Sequence, residues 1–511
     1  MPRILLIEHA VYELKVTETE IENALAELMA ARLIMLDNID GRDVLYLNGY
    51  YLDEMYIARR MVSMIKSDHK YEMTEDEAEK EIDIFESENE ITLASEQRNA
   101  VVTALSGGCM ILTGGPGTGK TTTINTIIDI MEKMKLDIAL AAPTGRAAKR
   151  MTQISGREAK TIHRLLCTQI TNGAHIFTHD EEHPLKADVI ILDEVSMVDT
   201  PLMASFLRAV KPGGRVIFSG DSDQLPSVGP GNVLHDLIES KKIPVCRLTR
   251  IFRQSEESLI ITNAHRINKG IMPELSDHTK DFFFLRRMNQ HDAVNTIISL
   301  YKDRLPKTYG IDAKTDIQIL SPMKKGITGT IELNKIIQNS INPASPEKRE
   351  YQYGQMIFRE GDKVMQTKNN YEIPYSRTEG EDGTGIYNGD IGTIDSIHND
   401  DRYMIVTFDD KIIEYPFTNL DELDLAYAMT VHKSQGSEFP FVIMPVCSYI
   451  PMLMSRNLFY TAITRAKNMV VLVGSEKAVA NMTANNSYTK RFTGLYEKIL
   501  RVCEPDNEGG K

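Results

Sequence analysis

The sequence has no tryptophan and only five cysteines, Cys109, Cys167, Cys246, Cys447 and Cys503, scattered along 511 residues. No two share the spacing of metal ligands, and an odd number makes no disulfide framework. A disulfide-stapled scaffold and a cysteine-rich zinc module are therefore excluded, and a reducing, cytoplasmic setting is expected. No apolar run approaches the roughly 18–20 residues that a membrane helix needs, so no membrane partner is expected. The opening MPRILLIEHAVYELK meets charge too early to read as a secretory signal. A fixed-period repeat is also missing. Basic charge is in deficit, with 58 Lys and Arg against 72 Asp and Glu, a net of −14. That balance argues at first against nucleic acid. Yet nine of the acids and one lysine fall in TEDEAEKEIDIFESENE, residues 74–90, so this segment carries −8 and the remainder −6. A protein that grips a polyanion in a narrow groove needs local positive charge, not a basic total. Net charge thus decides nothing here, and the acidic segment reads as a solvated helix and linker.

What is present is an ordinary globular composition, 42% apolar and 25% charged, in a chain long enough for several domains. Residues 1–90 read as helical with a small β element. Thr17 and Glu20 fit a capping box ahead of Ile21, Leu25 and Leu28. VLYLNGYY (44–51) reads as a strand or wing and EMYIARRMVSMIK (54–66) as a helix. A small docking domain and a winged-helix-like DNA-contacting module both fit. Over 91–270 the apolar strands CMILTG, DIALAAP, DVIILDE and RVIFSG alternate with helical stretches, the rhythm of a parallel sheet in an α/β domain. The α/β signal continues over 271–356 and returns over 421–511. Between them, residues 357–420 change to period-2 alternation punctuated by Gly-Asp turns, which reads as an inserted small β-barrel.

The strongest local signal is GGPGTGKTTT, 114–123, between the strand CMILT and the helix TTINTIIDIMEKM. Gly115, Pro116, Gly117, Thr118 and Gly119 form a loop whose backbone N–H groups turn inward to cradle phosphates, and the helix N-terminus adds its positive dipole end. Lys120 reaches the β- and γ-phosphates, Thr121 offers a hydroxyl to Mg²⁺, and Thr122 follows in the first turn. Farther on, VIILDEVSM ends an apolar strand in two carboxylates: Asp193 to hold Mg²⁺ and Glu194 to polarise the attacking water. Together these point to binding and hydrolysis of a nucleoside triphosphate such as ATP.

Gln224, in GDSDQLPSVGPG after another apolar strand, stands where a neutral amide senses the γ-phosphate. Arg253 in RIFRQ and Arg465 in NLFYTAITRAK are two arginines far from the phosphate loop. They suggest a second domain that closes over the triphosphate and supplies arginine fingers, which are typically worth about 10³–10⁵ in rate.

The ordered set LASEQRNAV, GGPGTGKTTT, APTGRAAKRM, AKTIHRLL, LDEVSM, GDSDQLPSVGPG, RIFRQ, AMTVHKSQGSEF and NLFYTAITRAK covers about 93–474. It resembles the superfamily 1 DNA helicases, in the branch that includes the RecD helicases and the helicase domains of conjugative relaxases. The resemblance implies two RecA-like P-loop motor domains with an SH3-like barrel inserted in the second. It also implies ATP-driven movement on single-stranded DNA, 5′-to-3′ unwinding of tailed duplexes, and repair or nuclease proteins as candidate partners. By matching position it implies that Gln97 reads the adenine edge and that Gly436 and Glu438 lie near the ribose and phosphates. It implies that Thr144, Arg146, Thr430, His432 and Lys433 line the DNA groove. Beside those roles stand an exposed helix-start Gln97, a packed or capping His432 and a surface-charge Arg146. His163 reads more as an organiser of the first motor than as a substrate contact. Residues 171–186, TNGAHIFTHDEEHPLK, fall where the family carries a strand-splitting hairpin, either a short wedge or a plain loop. The acidic loop EGEDGTG is expected to point away from a phosphate track. Longer relatives carry N-terminal helix-hairpin-helix modules that this chain lacks, so it reads as either a short form or a fragment.

Overall fold

In the first α/β region the strands are near-continuous apolar runs such as Val189–Leu192, every residue of which is buried. Such runs belong to a parallel sheet covered on both faces. The computed structural model describes residues 1–504 except 40, 68, 70–72, 172–173, 252–256, 278–279, 378–379, 449 and 487–490. Six parallel strands form the first sheet in the order Val245–Leu248, Cys109–Gly114, Arg215–Gly220, Val189–Leu192, Ile138–Ala142, Ala159–Thr161. The phosphate loop, Thr144, Asp193 and Asp221 all follow carboxyl ends of these strands, where open α/β sheets bind ligands.

A second parallel sheet has five strands, ordered Phe282–Arg286, Ala466–Gly474, Phe439–Val446, Ile317–Ser321, Ala428–Thr430. The period-2 region forms a curled seven-stranded sheet with antiparallel pairing, which runs from Gly383–Ile386 through to Leu423–Leu425. Along Tyr403–Phe408, Met404, Val406 and Phe408 face inward and their neighbours do not, as alternation requires. Val364, Ile394 and Val406 of this sheet share one core with Ile317 and Leu333 of the second α/β lobe.

The N-terminal region forms helices Arg3–Leu14 and Glu18–Ala30 and a hairpin of Ile34–Ile39 with Arg42–Leu47. Thr17 and Glu20 make the expected capping box. The strand reading of 44–51 stops at Leu47, because Asn48–Lys66 is one 19-residue helix that absorbs Gly49, Tyr50 and Tyr51. The acidic segment is corrected more substantially. Helix Glu75–Asn89 buries Ala78, Ile82 and Phe85 in the first lobe's core, and Arg98 gathers Glu79, Asp83 and Glu86 at 2.5–2.7 Å. One basic side chain thus ties together three acids of a face that reads as purely solvated in sequence, while the helix's other side is buried.

The chain end also returns to the first lobe. Helix Leu495–Cys503 packs Leu495 and Ile499 against Ile57 and Met61 of Asn48–Lys66, although its sequence follows the second lobe. Lys498 is fully buried there. Its Nζ lies 2.6 Å from Glu54 Oε2 and over the rings of Tyr46 and Tyr51 at 4.1 and 4.6 Å. Among the described residues no helix is long and apolar enough to cross a membrane.

The buried pair generates a stability prediction. Lys498→Met should cost about 3–5 kcal/mol in urea unfolding, because it strands a buried carboxylate, and Lys498→Met with Glu54→Leu should recover most of that loss. Single and double variants of equal stability would show that the pair is not a buried charge couple.

Candidate nucleotide cleft between the lobes

The two lobes face each other across a cavity of about 260 Å³ lined by the phosphate loop, Arg150, Asp193, Glu194, Gln224, Glu438 and Arg465. Its floor is the turn after Cys109–Gly114. Gly117 and Gly119 have φ of +73° and +80°, a region in which a side chain is strained. Thr118 Oγ1 donates to Gly115 O at 2.8 Å and braces the loop. Lys120 opens the helix Lys120–Lys133, and Thr121 and Thr122 are exposed in its first turn. Burial and the neighbouring Glu194 push the Asp193 carboxyl up, while Ser219 and Lys120 pull it back. Glu194 is itself nearly buried and sits at φ +53°, an uncommon conformation for a residue with a Cβ. Asp193 and exposed Thr121 offer one carboxylate and one hydroxyl. Among the described residues no cluster of three acidic, His or Cys side chains supplies more. That donor set fits a magnesium ion that takes its remaining oxygens from phosphates and water.

From the opposite lobe, Arg465 enters the same cavity, held by Thr461 O and Ser437 O, each at 3.3 Å. Gln224 Nε2 donates to Asp221 Oδ2 at 3.3 Å. Glu438 accepts from Arg150 Nη2 at 2.5 Å and lies 3.4 Å from Lys467. Arg150 also stands 3.9 Å from Glu194. Arg150 is absent from the sequence-based site, although it falls one helical turn after Arg146 in APTGRAAKRM.

The remaining candidates are distributed unevenly. Gln97 is buried behind the loop: its Oε1 accepts from Ala94 N at 2.9 Å and its Nε2 donates to Gly119 O at 3.3 Å, so it is no exposed helix-start residue. Arg253 lies outside the described residues. Thr144 caps helix Gly145–Ser155 and meets Gly436 across the seam, where a Cβ on Gly436 would fall 2.6 Å from Thr144 Oγ1. Half-buried Arg146 donates to Ser437 Oγ at 3.1 Å and lies over the Phe439 ring, and burial lowers its pKa. His432 stands apart, in a cleft of about 280 Å³ with Pro226, Val228, Met452 and Arg491, where partial burial lowers its pKa. Lys433 Nζ pairs with Asp424 at 2.8 Å, and half-buried Thr430 precedes the short helix Val431–Ser434. Thr144 and Arg146 therefore share the lobe seam, His432 opens to a second cleft, and Lys433 is engaged with a carboxylate. Strands Thr168–Thr171 and Ala174–Phe177 form a hairpin whose tip lies outside the described residues. His163 packs on Phe177 at its base, ring centroids 5.8 Å apart.

Three family models match the chain: an AAA domain over 97–230, the "ATP-dependent RecD-like DNA helicase SH3 domain" over 333–408, and a UvrD-like helicase C-terminal domain over 425–473. The ATP-dependent RecD2 DNA helicase of Deinococcus radiodurans is 36% identical over 407 residues, which are 79% of this chain and 52% of that protein. The RecBCD enzyme subunit RecD of Mycobacterium tuberculosis is 31% identical over 440 residues, 79% of this chain and 73% of that protein. The chain thus spans about half the length of the first relative and about three quarters of the second. The solved structure of Bacteroides Pif1 bound to ssDNA overlaps at a TM-score of 0.45 with 20% identity, over 76% of this chain and 94% of that chain.

The tight seam is testable. Gly436 has φ +71° as well as the close Thr144 contact. Gly436→Ala should therefore cost about 1–2 kcal/mol from backbone strain alone. A thermal midpoint equal to or above the parent's would show that Gly436 is not held at positive φ against Thr144.

Proposed function

The chain belongs to the RecD-like superfamily 1 DNA helicases, and from that premise we propose that it is an ATP-driven motor. In this reading it moves 5′ to 3′ along single-stranded DNA and unwinds 5′-tailed duplexes in repair or recombination. The observation that carries the reading is the shared cavity, with Lys120 and Asp193 on one lobe and Arg465 on the other. Hydrolysis that needs groups from both lobes proceeds only when they are together, which couples the chemistry to relative movement.

Each residue then has a task. Residues 115–122 wrap the phosphates, with Lys120 as their point charge. A magnesium ion held by Thr121, Asp193 and the phosphates supplies further neutralisation of developing charge. Glu194 takes a proton from water, Arg465 stabilises the departing γ-phosphoryl charge, and Gln224 reports its loss; Arg253 is assigned the second finger. Gln97 serves the base, and Gly436 and Glu438 serve the sugar side. Thr144, Arg146, Thr430, His432 and Lys433 contact the strand, through sequence-blind contacts made and broken in each cycle. The motors are residues 91–270 and 271–356 with 421–511, except that Leu259–Asn268 packs in the second lobe's core and Glu75–Asn89 and Leu495–Cys503 pack in the first's; residues 357–420 are the insertion and the rest of 1–90 the accessory region, all within the cytoplasm. A second reading is a DNA-stimulated ATPase subunit of a larger nuclease or repair complex. The short hairpin favours it.

Lys120→Ala should abolish both nucleotide binding and turnover. Glu194→Gln should bind ATP with near-parental affinity yet lose at least a hundredfold in kcat. Normal turnover in either would overturn the assignments. A strand-displacement assay on 5′-tailed, 3′-tailed and blunt duplexes separates the two readings. Unwinding of the 5′-tailed substrate by the chain alone supports the motor; strand-stimulated ATPase with no unwinding supports the subunit; preference for the 3′ tail overturns the polarity.

A further inference from the structure

We infer that Tyr460 and Asp221 act as a positioning pair, whose hydrogen bond across the lobe seam sets Arg465 over the triphosphate site. The inference rests on the ATP-hydrolysing reading above and extends it to residues to which nothing so far assigns a task.

It begins with one helix. Arg456–Ile463 packs Leu458, Phe459, Ala462 and Ile463 into the second lobe's core. Asn457, Tyr460 and Thr461 follow the i, i+3, i+4 spacing that brings side chains to one face. All three bond to a single five-residue stretch of the first lobe. Asn457 Nδ2 donates to Asp223 O at 2.7 Å, Tyr460 Oη to Asp221 Oδ2 at 2.7 Å, and Thr461 Oγ1 accepts from Leu225 N at 2.9 Å. Two further residues of the second lobe join them. Gln435 Nε2 donates to Leu225 O at 2.9 Å and Asn268 Nδ2 to Asp223 Oδ2 at 2.6 Å. The stretch 221–225 is thus stitched to the second lobe at each end.

Tyr460 differs from the other stitches in what it joins. Asp221, 1% exposed, accepts from Tyr460 and from the Gln224 amide on the same oxygen. Burial and the adjacent carboxylate raise the phenol's pKa well above its ordinary value, so the hydroxyl stays a donor. A Cβ on Gly115 would lie 3.0 Å from Tyr460 Oη, so the same hydroxyl borders the phosphate loop. Five residues on, Arg465 is fixed to this helix through Thr461 O. One hydroxyl therefore touches the loop that cradles phosphate, the carboxylate that orients the γ-phosphate amide, and the helix that carries the finger. Displacing that helix displaces Arg465, and a shift of about 1 Å at a reacting geometry can cost on the order of a hundredfold in rate.

Tyr460→Phe keeps the ring and removes only the hydroxyl; Asp221→Asn keeps the shape and an acceptor oxygen. Tyr460→Phe should bind a non-hydrolysable ATP analogue at one site per chain with parental Kd, while kcat for strand-stimulated hydrolysis falls about tenfold or more and KM for ATP stays within about twofold. Asp221→Asn should retain more kcat than Asp221→Ala. Parental kcat in Tyr460→Phe overturns the inference. So does a fall in kcat matched by an equal fall in binding stoichiometry, which is the mark of partial unfolding. A parental chain that hydrolyses no ATP overturns the functional reading itself, and the inference with it.

Discussion

In the proposed motor the two lobes part and rejoin in each cycle, which a dry apolar face between them would oppose. Here they meet through polar stitches: the 221–225 stretch on helix Arg456–Ile463, Thr144 against Gly436, Arg146 on Ser437 and Arg150 on Glu438. Each neutral hydrogen bond contributes only about 0.5–1.5 kcal/mol net, and each with a charged partner about 1.5–3, because water replaces it when the seam opens. Apolar burial, at about 25 cal/mol per Å², would lock the same area shut. Most of the apolar mass lies instead inside each lobe, although Leu225 of the first lobe reaches into the second lobe's core. The curled sheet shares its apolar cores with the second lobe, through Val364 and Met365, and reaches the first lobe through polar contacts such as Asp409 with Lys149.

That division gives the chain ends their purpose. The second lobe is joined to the first by two crossings, one after Val245–Leu248 and one before Leu495–Cys503. The second crossing ends in a helix with Lys498 sunk beside Glu54. On the way, Arg491 Nη1 donates to Gly229 O and Gly231 O at 2.6 and 2.8 Å, on the turn that follows Gln224. A lobe tethered at both ends can rotate but cannot drift. Removing one partner of so deeply buried a pair costs more than removing one of a surface pair.

How much was legible follows from how local each signal is. The phosphate loop, the Asp193-Glu194 strand end and each strand of the period-2 sheet are written within about ten residues, and the structure has the loop, the strand end and the sheet there. Ala78, Ile82 and Phe85 were also legible in principle, at i, i+4 and i+7, but the density of acids hid the stripe. Tyr460, Asp221 and Arg150 take their meaning from partners 239, 239 and 288 positions away, and no spacing rule reaches that far. Thr144 and Arg146 carry the opposite lesson. Their motif was recognised, yet in this arrangement they face the second lobe as much as any groove, because the same helix start borders both.

The charge balance shows why a whole-chain total misleads. Arg98 absorbs three of the acids in 74–90, and that helix lies against the first lobe's core on its buried face. Between the lobes and the curled sheet, by contrast, Arg146, Lys149, Arg150, Lys314, Lys363 and Lys467 line one cavity of about 710 Å³, with Asp395, Asp409 and Glu438 among them. Burial above all, with Arg146 nearby, pushes Lys363 down to about 7, so that amine carries the least charge of the group. Charges in a cleft with low-dielectric walls act over the cleft, while charges on an outer face are screened within about 10 Å at ordinary salt. A chain of net −14 can therefore present a polyanion with a locally cationic interior, and the sign of its total says nothing about what it grips.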